Sequence, residues 1–577
     1  MYRFLAFHLF YFFSFLAFSQ NLQTPFELSK GTQTATYQEG IGFYEQLDKQ
    51  YEEIKLLQYG TSDAGFPLHL AVYSADGDFE PSSLKQKGRN IFLVINAIHA
   101  GEPDGVDASM MLLRDIVTDN SLKKICKNTV IAVIPFYSVG GVLQRNSVGR
   151  ANQNGPASYG FRGNARNYDL NRDFTKLDTE NAKTFVQIFQ TWQPDVQIDN
   201  HVSNGADYQY TMTYIFPNLA ELNPEIAAYF KKEFQPDLKN LMKKKNEEIT
   251  PYVETKDETP DGGLIQDFSS PRFSNGYATL FHTLAFVAET HMLKSFDKRV
   301  EATYKLMQSI LEILDKDGAK IRKNRKKAFE YDQKEKSFVL DWKIDFSKSE
   351  MIDFKGYEAS YISSKVTNGK RLFYDKQKPY NKKIPFYNVY QEKLRLEKPK
   401  MYIIPKLYSH IAKILEMNGV KVSKIQKNDT FKGFYYYIKN YQTSQKPYEG
   451  HYPHQNTEVE KRAATYEVTD GDWIVMGNQA HIRFIMSVLE PQAPDSYFNW
   501  NYFDILLQQK EYYSAYVFEE IAEKILKENP TIKANLQEKI QKEAEFAKNP
   551  KAQLDYIYYQ SPHYEKHHLR YPIFRVE

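Results

Sequence analysis

The sequence predicts an α/β fold over residues 20–325, a mostly parallel mixed sheet flanked by helices, followed by a C-terminal α+β accessory region over residues 326–577. Three observations point there. Ile91-Phe92-Leu93-Val94-Ile95 is an unbroken apolar run, the pattern of a strand covered on both faces. After Gly101 and Pro103, Val106, Met110, Leu113 and Val117 recur on one helical face. Val130-Ile131-Ala132-Val133 then returns to an apolar run, so strand, helix and strand alternate as in a parallel sheet.

The later elements follow in order. Ala182, Phe185, Val186 and Phe189 mark an amphipathic helix that stops before Pro194 and leads into a short strand, Val196–Asp199. Leu284-Ala285-Phe286-Val287-Ala288 is a further strand. Lys316 to Lys336, rich in Lys, Arg and Asp, reads as a helix end plus a connection between domains. Ser337 to about Lys398 is strand-rich, Lys400 to Lys424 reads as a strand and a helix closed by Gly419, and Phe503 to Ala547 is helical with charged faces.

Composition bounds the function. Of 577 residues, 42% are hydrophobic and 25% charged, which excludes a disordered, collagen-like or polytopic membrane protein. Lys and Arg number 75 against 72 Asp and Glu, a net charge of +3 that argues against a nucleic-acid partner. The single cysteine, Cys126, forms no internal disulfide, and no histidine lies nearby in sequence to activate it as a nucleophile. At the N-terminus, Arg3 precedes an apolar stretch from Phe4 to Phe18, closed by Ala17-Phe18-Ser19 and followed by polar Gln20-Asn21. This is the pattern of a signal peptide over residues 1–19, too short to span a bilayer. The mature chain is expected to be exported, periplasmic or extracellular, with no stable membrane insertion after cleavage.

Chemistry concentrates in four places. In His99-Ala100-Gly101-Glu102 an imidazole and a carboxylate three residues apart leave a predicted central strand at its carboxyl end, where open α/β sheets bind ligands. Zinc accepts both donor types. His201, in Val196-Gln197-Ile198-Asp199-Asn200-His201, emerges from another strand end. Two histidines and one glutamate leave a fourth position open, the mark of a catalytic rather than a structural zinc site. The third place is Asp169-Leu170-Asn171-Arg172, and the fourth is Ala288-Glu289-Thr290-His291. Each is unremarkable alone.

In this order and spacing the four segments, from about Glu39 to Ile313, resemble the zinc carboxypeptidases of the carboxypeptidase A family. The resemblance implies one Zn2+ per chain held by His99, Glu102 and His201, with Asp169 orienting His99. It implies that Asn171 and Arg172 grip a substrate's terminal carboxylate, for which a guanidinium offers a bidentate fork. Arg150, or alternatively Arg145, would meet the developing oxyanion. Glu289 would be the general base. The family's substrate-capping tyrosine has no match at its usual spacing; Tyr277 is the nearest candidate. Arg272 is a further candidate carboxylate contact and His291 a structural histidine, while His451-Tyr452-Pro453-His454 reads as a surface loop. The function implied is an exported zinc metallocarboxypeptidase acting on the C-termini of peptides or proteins. A related zinc amidohydrolase, deacylase or cell-wall peptide amidase, and a silent peptide-binding relative, stay open as alternatives.

Overall fold

The computed structural model describes residues 22–425 and 429–577, so the expected signal peptide lies outside the described residues. Among the described residues, ten strands precede Met292: β1 (Ile54–Thr61), β2 (Pro67–Tyr73), β3 (Asn90–Ile95), β4 (Thr129–Ile134), β5 (Val196–Ser203), β6 (Met212–Ile215), β7 (Ile249–Pro251), β8 (Glu254–Thr255), β9 (Leu264–Ile265) and β10 (Leu284–His291). Eight of them form one sheet in the order β1-β2-β4-β3-β5-β10-β6-β7. Its centre is parallel: β3 pairs with β4 and β5, and β5 with β10. The edges bring in antiparallel pairs, β1 with β2, β2 with β4, and β10 with β6. The α/β class and the mixed sheet are as the sequence predicts.

Burial explains the central strands. Every residue of β3, β4 and β5 is buried. In β3 and β4 the buried rows are mainly Ile, Val, Leu and Phe, which contribute about 1.5–3 kcal/mol each when fully removed from water. β5 is different, because Asp199, Asn200 and His201 occupy its buried end. Polar groups are costly there unless paired, so the end of β5 marks where core gives way to chemistry. Helix Glu180–Trp192 packs on β1; it begins on Thr179, whose hydroxyl caps Ala182 N–H, and ends at Gln193 in a left-handed conformation. Helices Asp104–Thr118 and Phe296–Lys334 pack on each other.

The charged stretch 316–336 closes a helix, as expected, but most of it is helix rather than connection: the helix runs on to Lys334, 39 residues in all. Gly318, Ile321, Ala328 and Asp332 are buried within it, a sparse inward stripe among solvated charges. The expected boundary between residues 325 and 326 therefore falls inside a helix.

Beyond it come β11 (Ser337–Ile344), β12 (Glu350–Ser363), β13 (Lys370–Tyr387) and β14 (Tyr390–Glu397). The hairpin β12–β13 joins a sheet of order β12-β13-β9-β8, in which Phe386 and Tyr387 pair with Leu264 and Ile265. The two halves thus share a sheet and a small core that includes Tyr208, Leu264, Phe354 and Phe386. A six-stranded sheet follows, built from β15 (Met401–Ile404), β16 (Val422–Lys424), β17 (Thr430–Thr443), β18 (His454–Glu467), β19 (Trp473–Met476) and β20 (Phe574–Val576). Helix Ser409–Met417 between β15 and β16 is followed by Gly419 at φ +73°, as expected. Helices Ala515–Glu528, Pro530–Lys542 and Pro550–Tyr558 bury a separate cluster around Phe518 and Leu536.

Candidate active site

After β3 the chain leaves the sheet through Ala97, at φ +53°, and tightens into a turn in which Glu102 N–H donates to the His99 carbonyl at 2.9 Å. Gly101 is required inside that turn. A Cβ there would meet Arg150 Cδ at 2.6 Å and the Gly160 carbonyl at 3.0 Å. His201 arrives from the end of β5. His99 Nδ1 and His201 Nδ1 lie 3.1 Å apart, and Glu102 Oε2 is 3.3 Å from the first and 3.1 Å from the second.

The far nitrogens decide what these atoms can be. His99 Nε2 sits 2.9 Å from Asp169 Oδ1, and His201 Nε2 sits 2.9 Å from Asp199 Oδ2. A carboxylate only accepts, so each ring keeps a proton on Nε2 and turns its Nδ1 lone pair inward. Two lone pairs and a carboxylate oxygen cannot satisfy one another; a cation or an extra proton must lie between them. In a tetrahedral zinc site with bonds near 2.0–2.1 Å, neighbouring donors are about 3.3 Å apart. The three donors match that spacing and fit zinc.

The surroundings favour positive charge at this point. Burial opposes a charge on His201, but Asp199 and Glu102 outweigh it and hold its pKa well above the ordinary value. Burial likewise opposes ionisation of Glu102 and Asp169, yet His99 with Arg150, and His99 with Arg162, keep both well below the usual carboxylate range. Glu102 Oε1 accepts from Arg150 Nη1 at 2.7 Å, and its Oε2 also accepts Val202 N–H at 3.0 Å.

Glu289 lies on β10, directly in register with His201 on β5. Among the described residues its carboxylate takes no hydrogen bond, and burial pushes its pKa up to about 8, with Glu102 and Asp199 adding to the effect against the pull of His201. The neighbouring Thr290 is anchored from behind: its hydroxyl donates to Asp104, which is paired with the fully buried Arg299 at 2.9 Å.

These groups open into one cleft of about 460 Å³ that includes Arg150, Arg162, Arg172, Tyr252, Asp267 and Phe273 on its walls. Arg172 lies over the Phe273 ring at 4.4 Å. Asn171 is on the cleft floor, but its amide is engaged. Its oxygen accepts Ser274 N–H at 3.0 Å, and its nitrogen is 3.4 Å from His201 Nε2. It faces the ligand histidine rather than open space.

Other expected residues are not brought here. Tyr277 is a correction: it is fully buried, its hydroxyl donating to Asn418 Oδ1 at 2.7 Å, and its ring packs among Phe174, Phe189 and Phe281. The inward face of helix Ser274–Thr279 takes it into the core. Arg145 donates to the carbonyls of Thr34, Ala35 and Ser158 and braces loops away from the cleft, which leaves Arg150 as the cleft arginine of the two. Arg272 is tied to Asp495 at 2.7 Å and is not free for a substrate. His291 packs against the Tyr208 ring, centroids 4.1 Å apart. His451 and His454 bind no common partner; they pair with Asp178 and Asp504.

Asp199, buried behind His201, and Arg162, on the cleft wall, have roles that the sequence did not assign them. Asp199 stands two positions before His201, which on a strand places it on the same face, and that spacing was the available signal. Arg162 lies in a glycine-rich loop and reaches Asp169 Oδ2 at 2.9 Å and Glu102 Oε1 at 3.6 Å.

An α/β sheet whose parallel strand ends converge two histidines and a glutamate above an open cleft forms a site that can hold a metal ion. Residues 41–235 match the family model described as zinc carboxypeptidase. Carboxypeptidase 2 of Trichophyton rubrum is 21% identical over 508 residues, covering 83% of this chain and 87% of that protein. Carboxypeptidase 2 of Trichophyton equinum is 21% identical over 503 residues, covering 83% and 86%. Among solved structures, a metallo-carboxypeptidase from Burkholderia cenocepacia aligns with 14% identity and a TM-score of 0.37 over 49% of this chain and 70% of that one.

Proposed function

We propose that this chain is an exported zinc-dependent metallocarboxypeptidase that hydrolyses the C-terminal peptide bond of peptides or proteins. The observation that carries the reading is the convergence of His99, Glu102 and His201 with Glu289 in register beside them and Arg172 on the wall of the same cleft. Export rests on the pattern of residues 1–19; in addition, no helix among the described residues is long and apolar enough to cross a membrane.

Zinc held by His99, Glu102 and His201 would polarise the scissile carbonyl and bring water into its nucleophilic range near neutral pH. The protein supplies the rest. Glu289, unencumbered by hydrogen bonds and in register beside His201, is suited as a carboxylate to take a proton from the attacking water and return it to the leaving amine. Arg150 and Arg162 lie where negative charge on the carbonyl oxygen can be met by guanidinium donors, an effect of about 3–4 kcal/mol in other hydrolases. Arg172 offers its planar fork to the terminal carboxylate. Asp169 and Asp199 hold both imidazoles in the tautomer that binds metal. An arginine at the cleft wall favours a substrate ending in a carboxylate over a neutral amide, which separates this reading from a general deacylase.

The test pairs metal analysis with release of C-terminal amino acids from a peptide library, for wild type and Glu289→Gln. Wild type is expected to bind one zinc and release free amino acids; Glu289→Gln keeps zinc and loses turnover by about 10²–10⁴-fold. Equal turnover of C-terminally amidated peptides, or hydrolysis of acylated amino acids alone, would overturn the assignment.

A further inference from the structure

We propose that the turn Tyr448-Glu449-Gly450-His451, supplied by the connection between β17 and β18 in the C-terminal half, positions Arg172 and the segment around Asp169 for the reaction; the inference rests on the function proposed above. Tyr448 hydroxyl accepts from Arg172 Nε at 2.9 Å. Arg172 Nη1 donates to its neighbour's carbonyl at 2.8 Å, and Phe273 lies against the guanidinium. The group is thus fixed on its Nε edge, at Nη1 and on one face, which lowers the entropy it loses when it grips a carboxylate. Without the hydroxyl, Nε would have lost its partner.

The same turn touches the partner of a metal ligand. Glu449 Oε2 accepts the Asp169 N–H at 2.8 Å, at the start of the short helical turn Leu170–Arg172. Asp169 carries the carboxylate that holds His99. One residue on each side of this contact therefore serves the two ends of the cleft, the carboxylate-binding arginine and the metal.

The turn is itself rigidly built. Tyr448 and His451 exchange backbone hydrogen bonds at 2.8 and 3.0 Å. The Tyr448 ring stacks on Trp500, centroids 6.1 Å apart, and His451 Nε2 lies 2.8 Å from Asp178 Oδ2. Gly450, at φ +78°, approaches so closely that a Cβ would meet the Tyr168 hydroxyl at 2.8 Å. No side chain but hydrogen fits between the two halves at that point.

The experiment uses the full-length, zinc-loaded chain. Tyr448→Phe removes one hydroxyl and leaves the ring on Trp500. KM for peptides with a free C-terminus is expected to rise about tenfold with kcat within twofold, and the preference for the free carboxylate over its amide in equilibrium binding falls by the same factor. Glu449→Ala is expected to weaken zinc affinity about tenfold by loosening Asp169, and Glu449→Gln, which keeps an acceptor oxygen, restores it. Thermal unfolding measured alongside shows whether each variant is folded. Wild-type KM and wild-type preference in a folded Tyr448→Phe protein overturn the positioning role, as does a fall in kcat at constant KM. If wild type itself neither releases amino acids nor prefers a free carboxylate, the proposed function fails and this inference with it. If wild type does both and the variants match it, only the turn's role is lost.

Discussion

His99 and His201 face each other Nδ1 to Nδ1 at 3.1 Å while each commits its Nε2 proton to a different aspartate. Removing one of those aspartates should therefore be felt as metal affinity. Asp199→Asn replaces a charged acceptor with an amide that can present its NH₂ to the ring. We expect zinc affinity to drop about 10–100-fold, measured by competition with a chromophoric chelator. Affinity within twofold of wild type would show that Asp199 does not orient His201.

A second expectation concerns Tyr277, which the structure places in the core. Tyr277→Phe removes the hydroxyl bonded to Asn418 and leaves the ring packing. Stability is expected to fall by about 0.5–1.5 kcal/mol in chemical denaturation, with kcat and KM unchanged. A raised KM at full stability would return Tyr277 to the substrate site.

Asp107 gives a pH dependence with a definite sign. Its buried carboxyl, bonded by Thr34 and Ala35 N–H, has its pKa raised by burial from 3.8 to about 7. Between those values the native state binds more protons than the unfolded chain, so this group's contribution makes stability fall as pH rises from about 4 to 7. Asp107→Asn removes that slope. At pH 8 the variant is expected to be more stable than wild type by on the order of 1–3 kcal/mol, and at pH 4 the two should coincide. Parallel stability curves across this range would refute the assignment.

The shared sheet makes a claim about truncation. A chain ending at Lys334 would strip β13 from β9 and uncover Tyr208 and Leu264. Such a fragment is expected to be aggregated or to lack cooperative unfolding, judged by gel filtration and calorimetry. A monomeric fragment with a sharp transition would show that the halves fold independently.

What could be read beforehand was local. The run Ile91–Ile95 declared a central strand because both faces are covered, and the His99–Glu102 spacing declared a chelating turn because both side chains leave one bend. The rest depended on which surface meets which. Tyr277 had an aromatic identity and a plausible position, but nothing nearby in sequence distinguished the cleft side of its helix from the core side. Lys316–Lys334 hid four inward residues among charges, so composition outweighed periodicity. The turn at Tyr448 looked like a solvated loop because its partners, Asp169 and Arg172, lie 280 and 276 residues away.

That separation has a consequence for biogenesis. A ribosome must have made more than three-quarters of the polypeptide before Tyr448 exists to steady Arg172, however early the ligand-bearing strands emerge. On the function proposed above, the grip on a substrate's tail is thus completed late in synthesis, well after the last metal ligand has been made.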